Sequence, residues 1–295
     1  MSPKMLLNLG LAAVAGALVL VVVLEPGLEA PPPPPTLAEG DPAEVSRMVL
    51  ERPDAPTVVL TRREGGWQLE SPVRLPASDF KAEALARLLA SPVAAEIPAP
   101  EDGLARFGLE DPAAVLTLDD TRIRFGTTQP VSGDRYVAVG ERILLIPDRA
   151  WHHLTEPGYA LASTALLEPG AEPERIVLSE LTLSPTEAGW QAVPAPDGMS
   201  ADAPVELVEA WRNARAVTVR AHQEPPADAR QVTVHLAGRE APLELLIYEA
   251  GGDTVFARPA AGVDYLVPAY TAERLLRLPD EDRGKGGNGD AEEDE

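Results

Sequence analysis

One tripeptide in this chain occurs twice. Gly66-Trp67-Gln68 returns 123 residues later as Gly189-Trp190-Gln191. A second tripeptide, Leu145-Ile146-Pro147, returns as Leu266-Val267-Pro268 at an offset of 121. Between the two tripeptides, each region has apolar residues at helical spacing, so the order of elements agrees as well. The sequence therefore predicts an internal duplication, in which each copy must bury its own apolar strand and helix faces.

Each copy is predicted to run from short strands through the Gly-Trp strand into a helix, then back to strands, a proline and a short closing helix. The predicted elements are Val45–Leu50, Thr57–Arg62, Val115–Leu118, a strand from Thr121 and a helix at Asp148–Leu154 in the first copy, and Arg175–Leu178, Leu181–Ser184, Val232–Leu236, Leu243–Tyr248 and a helix at Ala269–Leu278 in the second. Many strands with few helices favour an α+β fold over a doubly wound sheet. We expect two tandem copies of a mixed β-sheet plus helix unit, at 44–165 and 166–279.

The main helix of each copy has start signals and an apolar stripe. Ser78 or Asp79 can cap the first helix. Asp202 can cap the second, and Pro204 lies in its first turn, where a missing N–H does no harm. The residues predicted to face inward are Phe80, Leu85, Leu88 and Leu89 in the first helix and Leu207, Val208 and Trp211 in the second.

A long apolar segment precedes the duplicated region. Met5 to Leu24 contains no charged residue, and Asn8 is its only clearly polar side chain. A helix of twenty residues spans about 30 Å, the thickness of a bilayer's hydrocarbon core. A cleaved signal peptide is the alternative, but its apolar part is usually about 7–15 residues and ends at a small-x-small site. The segment therefore favours one N-terminal transmembrane helix within residues 1–24, a signal-anchor that is retained.

The charges around this segment predict its orientation. Lys4 precedes it, and the next basic residue is Arg47. Because basic residues concentrate on the cytoplasmic side, the bulk of the chain is expected outside the cytoplasm, in the periplasm or cell envelope. The predicted location is a single pass of the inner (cytoplasmic) membrane.

Two segments frame the duplicated region. Residues 25–43 contain five consecutive prolines at Pro31–Pro35, which favour an extended polyproline stalk. Residues 280–295 contain eight acidic and two basic residues, and we predict a disordered acidic tail.

Composition excludes several classes of function. The chain has 25 Lys and Arg against 47 Asp and Glu, a formal net charge of −22, which counts against nucleic-acid binding. It has no cysteine, so disulfides, thiolate metal sites and a cysteine nucleophile are ruled out. Glycine-rich phosphate loops and the G-x-S-x-G elbow are missing from strand-to-helix contexts. We assign no catalytic, cofactor-binding or metal residue and expect no enzyme and no cofactor.

The histidines and paired carboxylates were considered as site residues. Adjacent His152 and His153 should point about 100° apart on a helix, so a shared metal is not expected, and a surface helix end is the simpler interpretation. His222 and His235 have no evident partner in the sequence. The carboxylate pairs Asp119-Asp120 and Glu110-Asp111 fall at predicted turns, where aspartate is common for local hydrogen bonding.

Trp67 and Trp190 allow two interpretations. An exposed pair could stack on a carbohydrate, whereas their repeated position beside a strand-to-helix turn favours a role in the core. Aromatic residues make up only 4% of the chain, so a core role is the stronger prediction.

Several motifs together resemble a bacterial domain-of-unknown-function family, number 4340. The motifs are Gly65-Gly66-Trp67-Gln68-Leu69, Ser71-Pro72, Phe107-Gly108-Leu109-Glu110-Asp111-Pro112, Gly126 and Arg135-Tyr136-Val137. The likeness is firm over Arg47–Leu154 and vaguer through the second copy. The resemblance implies an N-terminal membrane anchor and genes that neighbour ABC transport systems of the gliding-motility type. The family has no established catalytic residues, so it supplies none for this chain.

Three functions are therefore compared. The leading expectation is a membrane-anchored extracytoplasmic accessory or scaffold protein of the bacterial envelope, associated with an ABC transport system and with an envelope protein as its partner. The alternative is a ligand-binding module that holds a peptide, glycan or lipid in a groove between the copies. An envelope hydrolase of unfamiliar geometry is the least favoured.

Overall fold

The computed structural model describes residues 3–24, 34–98 and 103–279. Its first helix, α1, is Pro3–Leu24, and apolar side chains such as Leu11 and Leu18 are exposed on it. Within the described ranges we find no helix long and apolar enough to cross a membrane. The membrane anchor therefore stays a prediction from the sequence. The acidic tail and residues 25–33 of the stalk lie outside the described residues.

The first copy forms a nine-stranded sheet. Its strands are β1 (Arg47–Arg52), β2 (Ala55–Arg63), β3 (Gly66–Ser71), β4 (Leu75–Pro76), β5 (Ala95–Ile97), β6 (Ala114–Leu118), β7 (Thr121–Thr128), β8 (Arg135–Val139) and β9 (Arg142–Ile146). The order across the sheet is β4-β3-β2-β1-β6-β7-β8-β9-β5. The helices of this copy are α2 (Asp79–Ala86) and α3 (Trp151–Thr155).

The second copy forms a separate eight-stranded sheet. Its strands are β10 (Pro173–Val177), β11 (Thr182–Thr186), β12 (Gly189–Val193), β13 (Thr218–Ala221), β14 (Arg230–Leu236), β15 (Leu243–Ala250), β16 (Asp253–Arg258) and β17 (Val263–Pro268). The order across the sheet is β12-β11-β10-β14-β15-β16-β17-β13. The helices are α4 (Ala203–Arg212) and α5 (Ala269–Leu276).

The two sheets have the same topology. Strands β10, β11, β12 and β13 correspond to β1, β2, β3 and β5, and strands β14 to β17 correspond to β6 to β9. With these matches the strand order is the same in both sheets, except that the first sheet has the extra strand β4 at one edge. The matching helices also lie at the same points along the chain. The structure thus has the α+β class and the two units that the repeated tripeptides predict.

The sheets differ from the prediction in one respect. We predicted a mixed sheet, whereas the strand pairings of the described residues are antiparallel in both copies. The reason is that most neighbouring strands are joined by short hairpins, which return the chain in the opposite direction.

The linker between the copies is buried and bonded to both of them. In the first copy, the N–H of Ser78 donates to the carbonyl of Leu161 at 2.8 Å. In the second, the N–H of Ala216 donates to the carbonyl of Thr164 at 2.8 Å, and the N–H of Leu166 donates to Ala214 at 3.0 Å. One apolar cluster continues from the first sheet through this linker into the second. The two copies therefore share a core although each has its own sheet.

The helices confirm most of the inward-facing residues but correct two details. Leu85, Leu88 and Leu89 are buried, as are Leu207, Val208 and Trp211 in α4. Phe80 was predicted in the same stripe but is 70% exposed, because it lies two and five residues before the buried Ala82 and Leu85 and so falls on the other side of α2. Ser78 and Asp202 occupy the N-cap positions without a side-chain capping bond.

Part of the predicted stalk packs on the folded body. Leu37 is fully buried, and its N–H donates to the carbonyl of Ser91 at 2.9 Å. The N–H of Ala38 donates to the carbonyl of Leu89 at 3.1 Å. The compact body consequently begins at Thr36, and it forms a unit distinct from residues 1–35.

Candidate functional site

The two repeated tryptophans have different surroundings. Trp67 is 2% exposed, and the Arg62 guanidinium lies 4.8 Å from its ring centroid. Trp190 is half-buried at the edge of the second sheet. The core interpretation is confirmed for Trp67, which is too buried to stack on a sugar.

The carboxylate of Asp79 has a role that the sequence did not suggest. It accepts the N–H of Trp67 at 2.8 Å and so ties the start of α2 to strand β3. The capping role proposed for Asp79 is therefore wrong, because the carboxylate turns away from its own helix towards the neighbouring strand. The corresponding Asp202 accepts no such bond from Trp190 among the described residues.

This difference gives a matched test of stability. Asp79→Ala leaves the buried main-chain N–H of Trp67 without an acceptor and is expected to lower the free energy of unfolding by about 1–3 kcal/mol. Asp202→Ala removes an exposed carboxylate and is expected to change it by less than about 0.5 kcal/mol. Urea denaturation of both variants measures the difference, and equal effects would contradict this assignment.

The adjacent histidines meet a carboxylate at the end of α3. The ring centroids of His152 and His153 are 3.7 Å apart, and His153 Nδ1 lies 3.0 Å from Glu156 Oε1. One possible ligand atom from each of the three residues lies within 4.8 Å of the others, close enough for one metal ion to be considered. The two rings therefore lie side by side and do not diverge as regular helical angles predicted. His153 is also 6% exposed and not a surface residue.

The charges around this cluster disfavour a cation. Lys81 binds the other oxygen of Glu156 and donates to the carbonyl of Ala160 at 2.9 Å. Arg52 donates to the main-chain carbonyl of Glu156. With Lys81 on its carboxylate and Arg52 on its main-chain carbonyl, Glu156 fits an ion-paired link between the first copy and the linker better than a metal centre.

Burial and hydrogen bonds shift the pKa values here. Burial lowers the pKa of His153, and the hydrogen bond to Glu156 does not compensate for it. Burial opposes ionisation of Glu156, but hydrogen bonds from Lys81 and His153 outweigh it and hold its pKa below the usual range. Both residues therefore favour the folded state when His153 is neutral and Glu156 is charged.

A pH dependence of stability follows from His153. An unfolded histidine titrates near pH 6.5, so the stabilising effect of its lowered pKa is fully present above that pH. We expect stability to fall as the pH drops from about 6.5 through the folded pKa of His153, and the His153→Gln variant to lose that part of the dependence. Urea titrations between pH 8 and pH 5 measure it, with His235→Gln as the control. An unchanged profile in His153→Gln would contradict the assignment.

A second polar network lies in the second sheet, around Asp264. This carboxylate is fully buried in strand β17. It accepts hydrogen bonds from His222 Nδ1 at 2.7 Å, the Gln223 N–H at 3.2 Å, the Tyr248 hydroxyl at 3.3 Å and Arg220 Nε at 3.4 Å. Burial, followed by the negative charge of Asp264, raises the pKa of the Tyr248 phenol. His222 therefore does have a partner, contrary to the sequence interpretation.

The corresponding place in the first sheet is apolar. The cross-strand pair Arg220–Asp264 matches the pair Ile97–Ile143 in register. Around Ile143, a small separate cluster of Phe107, Leu109 and Ala138 covers that face of the sheet. The two copies have thus diverged here, and the polar network is particular to the second copy.

The His222 side chain is 24% exposed, so this network reaches the surface of the second copy. The signal that could have revealed the network is Asp264 itself, a charged residue inside the apolar strand Val263–Pro268.

In the Asp119-Asp120 pair, Asp119 behaves as a turn residue. Asp119 accepts the hydroxyl of Ser46 at 2.8 Å and the N–H of Arg47 at 2.9 Å. It also adopts a φ of 47° in the turn between β6 and β7. These bonds fasten the start of β1 to that turn and do not bring two carboxylates into one site.

The pockets also differ from the predicted groove. A cavity where the two copies meet, lined by residues such as Pro76, Leu166 and Tyr265, has a volume of about 10 Å³, which holds no more than a water molecule. A larger pocket of about 310 Å³ lies instead between α4 and α5 and is lined by Leu207, Tyr270 and others.

The fold and these networks define a duplicated α+β protein with two antiparallel sheets on one shared core. The chain belongs to the family described as a domain of unknown function (DUF4340), whose model matches residues 67–232. The match begins at the first repeated tryptophan and extends into the second copy, so the resemblance seen in the motifs is confirmed. No curated protein and no solved structure matches the chain.

Proposed function

We propose that this chain is a membrane-anchored extracytoplasmic accessory or scaffold protein of the bacterial envelope, which serves an ABC transport system without catalysis of its own. The single observation that carries the scaffold role is the buried linker. Domains joined by an exposed linker are expected to move relative to one another, whereas residues 161–167 are packed and hydrogen-bonded to both copies. A fixed two-sheet body is suited to holding partner surfaces at a constant spacing.

The membrane attachment is proposed from the sequence and from what the family resemblance implies. Met5 to Leu24 has no charged side chain, and Lys4 precedes it. Proline residues at Pro31–Pro35 would separate the body from the bilayer. The association with an ABC transport system is proposed from what the family resemblance implies.

The ligand-binding alternative has less support. It requires a groove between the copies and an exposed tryptophan beside it. The cavity where the copies meet is about 10 Å³, and Trp67 is buried.

Two experiments test the proposal. In spheroplasts that express the full chain, added protease is expected to digest the body, and protection of the body in intact spheroplasts would overturn the orientation. Solubilisation of the full chain in a mild detergent followed by affinity capture is expected to recover a membrane protein partner. Recovery of the chain alone would overturn the accessory role.

A further inference from the structure

In the first copy, the chain that follows the closing helix α3 packs against strand β2. Gly158 is buried there, and a Cβ on it would lie 2.7 Å from Val58 Cγ2. Leu161, three residues further on, is fully buried. The linker segment 157–161 therefore covers Val58 so closely that no methyl group fits between Val58 and Gly158.

Strand register identifies the counterpart of Val58 in the second copy. The residues opposite the two repeated tryptophans are Arg62 in β2 and Pro185 in β11. Val58 and Leu181 each lie four positions before these residues. Leu181 therefore takes the place of Val58.

The closing helices identify the counterpart of Gly158. Leu154 in α3 and Leu275 in α5 are each 1% exposed, and each helix ends one residue later. Counting four residues on from each leucine matches Pro279 with Gly158. Pro279 is also the last residue that the structure describes.

A pocket lies over Leu181, at the place that the linker segment fills in the first copy. Its volume is about 220 Å³, which is enough for one apolar side chain. Its apolar lining residues are Leu181, Pro196, Met199, Leu276, Leu278 and Pro279. The described residues of the two copies thus differ here, because the same place is packed in one and leaves a pocket in the other.

The charges beside this place are reversed between the copies. In the first copy, Arg52 donates to the main-chain carbonyl of Glu156. In the second, the carboxylates of Glu180 and Asp197 line the pocket, and Arg277 takes the place of Glu156. Two carboxylates beside one guanidinium leave an excess of negative charge, which favours a cationic ligand.

The sequence after Pro279 lacks the side chains that cover the first copy. By the same count, Tyr159 and Leu161 correspond to Asp280 and Asp282. Aspartates supply no apolar side chain and add to the negative charge of the pocket. A second copy of the chain, with a formal net charge of −22, would also bring like charges together. The chemistry of the pocket therefore favours a different protein.

We propose that this pocket binds a short apolar and basic segment of a partner protein, as the linker segment 157–161 binds the first copy. This inference rests on the proposed accessory function and names the surface by which the partner is held. A leucine or tyrosine of the partner would enter the pocket over Leu181, where burial of apolar surface would provide the affinity. A lysine or arginine beside it would pair with Glu180 and Asp197 and provide selectivity.

The test uses the full chain in mild detergent and a fluorescently labelled peptide, Lys-Pro-Gly-Tyr-Ala-Leu-Lys. This probe carries the sequence of the linker segment between two lysines. Fluorescence anisotropy is expected to show saturable binding. The same peptide with photo-leucine in place of leucine is expected to cross-link to residues 196–199 or 276–279, as identified by mass spectrometry.

Two controls separate the apolar contact from the charge contact. A peptide with serine in place of tyrosine and leucine keeps both lysines and should bind at least about tenfold more weakly. The Glu180→Lys, Asp197→Lys double variant should bind the original peptide about tenfold more weakly. The Glu187→Lys, Asp228→Lys double variant makes the same change of charge at exposed positions outside the pocket lining, and it should bind the peptide as the wild-type protein does.

Other outcomes overturn the inference. Equal weakening in the two double variants, or a cross-link elsewhere on the body, would exclude this pocket as the binding site. Peptide binding that requires glutamine in place of the acidic residues of 280–295 would assign the pocket to this chain's own C-terminal segment. A dimer in analytical ultracentrifugation that the peptide dissociates would assign it to a second copy.

The result is independent of the experiments on the proposed function. Protease digestion in spheroplasts and capture of a membrane partner do not use the peptide. Failure of peptide binding therefore overturns only this inference, whereas recovery of the chain alone overturns the accessory role.

Discussion

Replacing Asp264 with alanine is expected to lower the free energy of unfolding by about 3 kcal/mol. The carboxylate is fully buried and accepts hydrogen bonds from Arg220, His222, Tyr248 and the main chain of Gln223. Removing one partner of a buried ion pair costs about 3–5 kcal/mol, and we place the effect at the low end because Arg220 and His222 can turn towards water. Urea denaturation monitored by circular dichroism measures the change.

The first copy provides the control for this variant. A double variant, Asp264→Ile with Arg220→Ile, reproduces the apolar pair Ile97–Ile143 and is expected to be more stable than Asp264→Ala, because no charge is left unpaired between the two strands. Asp228→Ala, in an exposed loop, should match the wild-type protein. A small loss for Asp264→Ala, within about 0.5 kcal/mol, would show that the network does not hold β13 to β17.

Gly126→Ala is expected to cost about 3 kcal/mol or more, the largest effect of a glycine-to-alanine change among the described glycines of the first copy. A Cβ at this position would lie 2.1 Å from the carbonyl oxygen of Phe107 and 3.1 Å from the side chain of Leu109. The obstacle is main chain held in the Phe-Gly-Leu segment, so it cannot move aside as a flexible side chain would. The variant should also loosen the small apolar cluster around Ile143.

Gly65→Ala is the matched control for Gly126→Ala. A Cβ at Gly65 meets no heavy atom within 4 Å, so its stability should stay within about 0.5 kcal/mol of wild type. Both variants can be compared by thermal unfolding. If Gly126→Ala unfolds at the wild-type temperature, the main chain of the Phe107–Leu109 segment does not contact β7 as closely as described.

The second copy explains why this glycine is needed only once. By strand register, Tyr248 takes the place of Gly126. A tyrosine fits there because the second copy has no Phe-Gly-Leu segment over that face, and its hydroxyl instead bonds to Asp264. The same sheet position is thus a close main-chain contact in one copy and part of a polar network in the other.

The duplication and the α+β class could be predicted from the sequence because they depend on local patterns. Paired Gly-Trp-Gln tripeptides mark equivalent hairpins, and the alternation of Ile123 and Phe125 with arginines marks a strand with one buried face. Turn residues such as Asp119 were also placed correctly. These features are set by residues close together in the chain, so no tertiary contact is needed to recognise them.

The polar networks could not be predicted because their members are far apart in sequence. Asp264 meets His222 across 42 residues, and Glu156 meets Lys81 across 75. Helical spacing alone predicted diverging directions for His152 and His153, whereas in the structure their ring centroids lie 3.7 Å apart, with Glu156 beside them. Phe80 shows the converse, an apolar residue assigned to the buried stripe that lies on the exposed side of α2.

By itself, the sequence determined that two copies of one α+β unit follow an apolar N-terminal segment, because periodicity and repeated motifs are properties of the chain. Only the tertiary structure decided which edges and faces of the two copies are closed. Asp79 and β4 close the edge at Trp67, whereas no described strand pairs with the outer side of β12 at Trp190. The physical reason is that a hydrogen bond between main-chain groups depends on where the following segment folds, and that path is fixed by packing between elements distant in the chain.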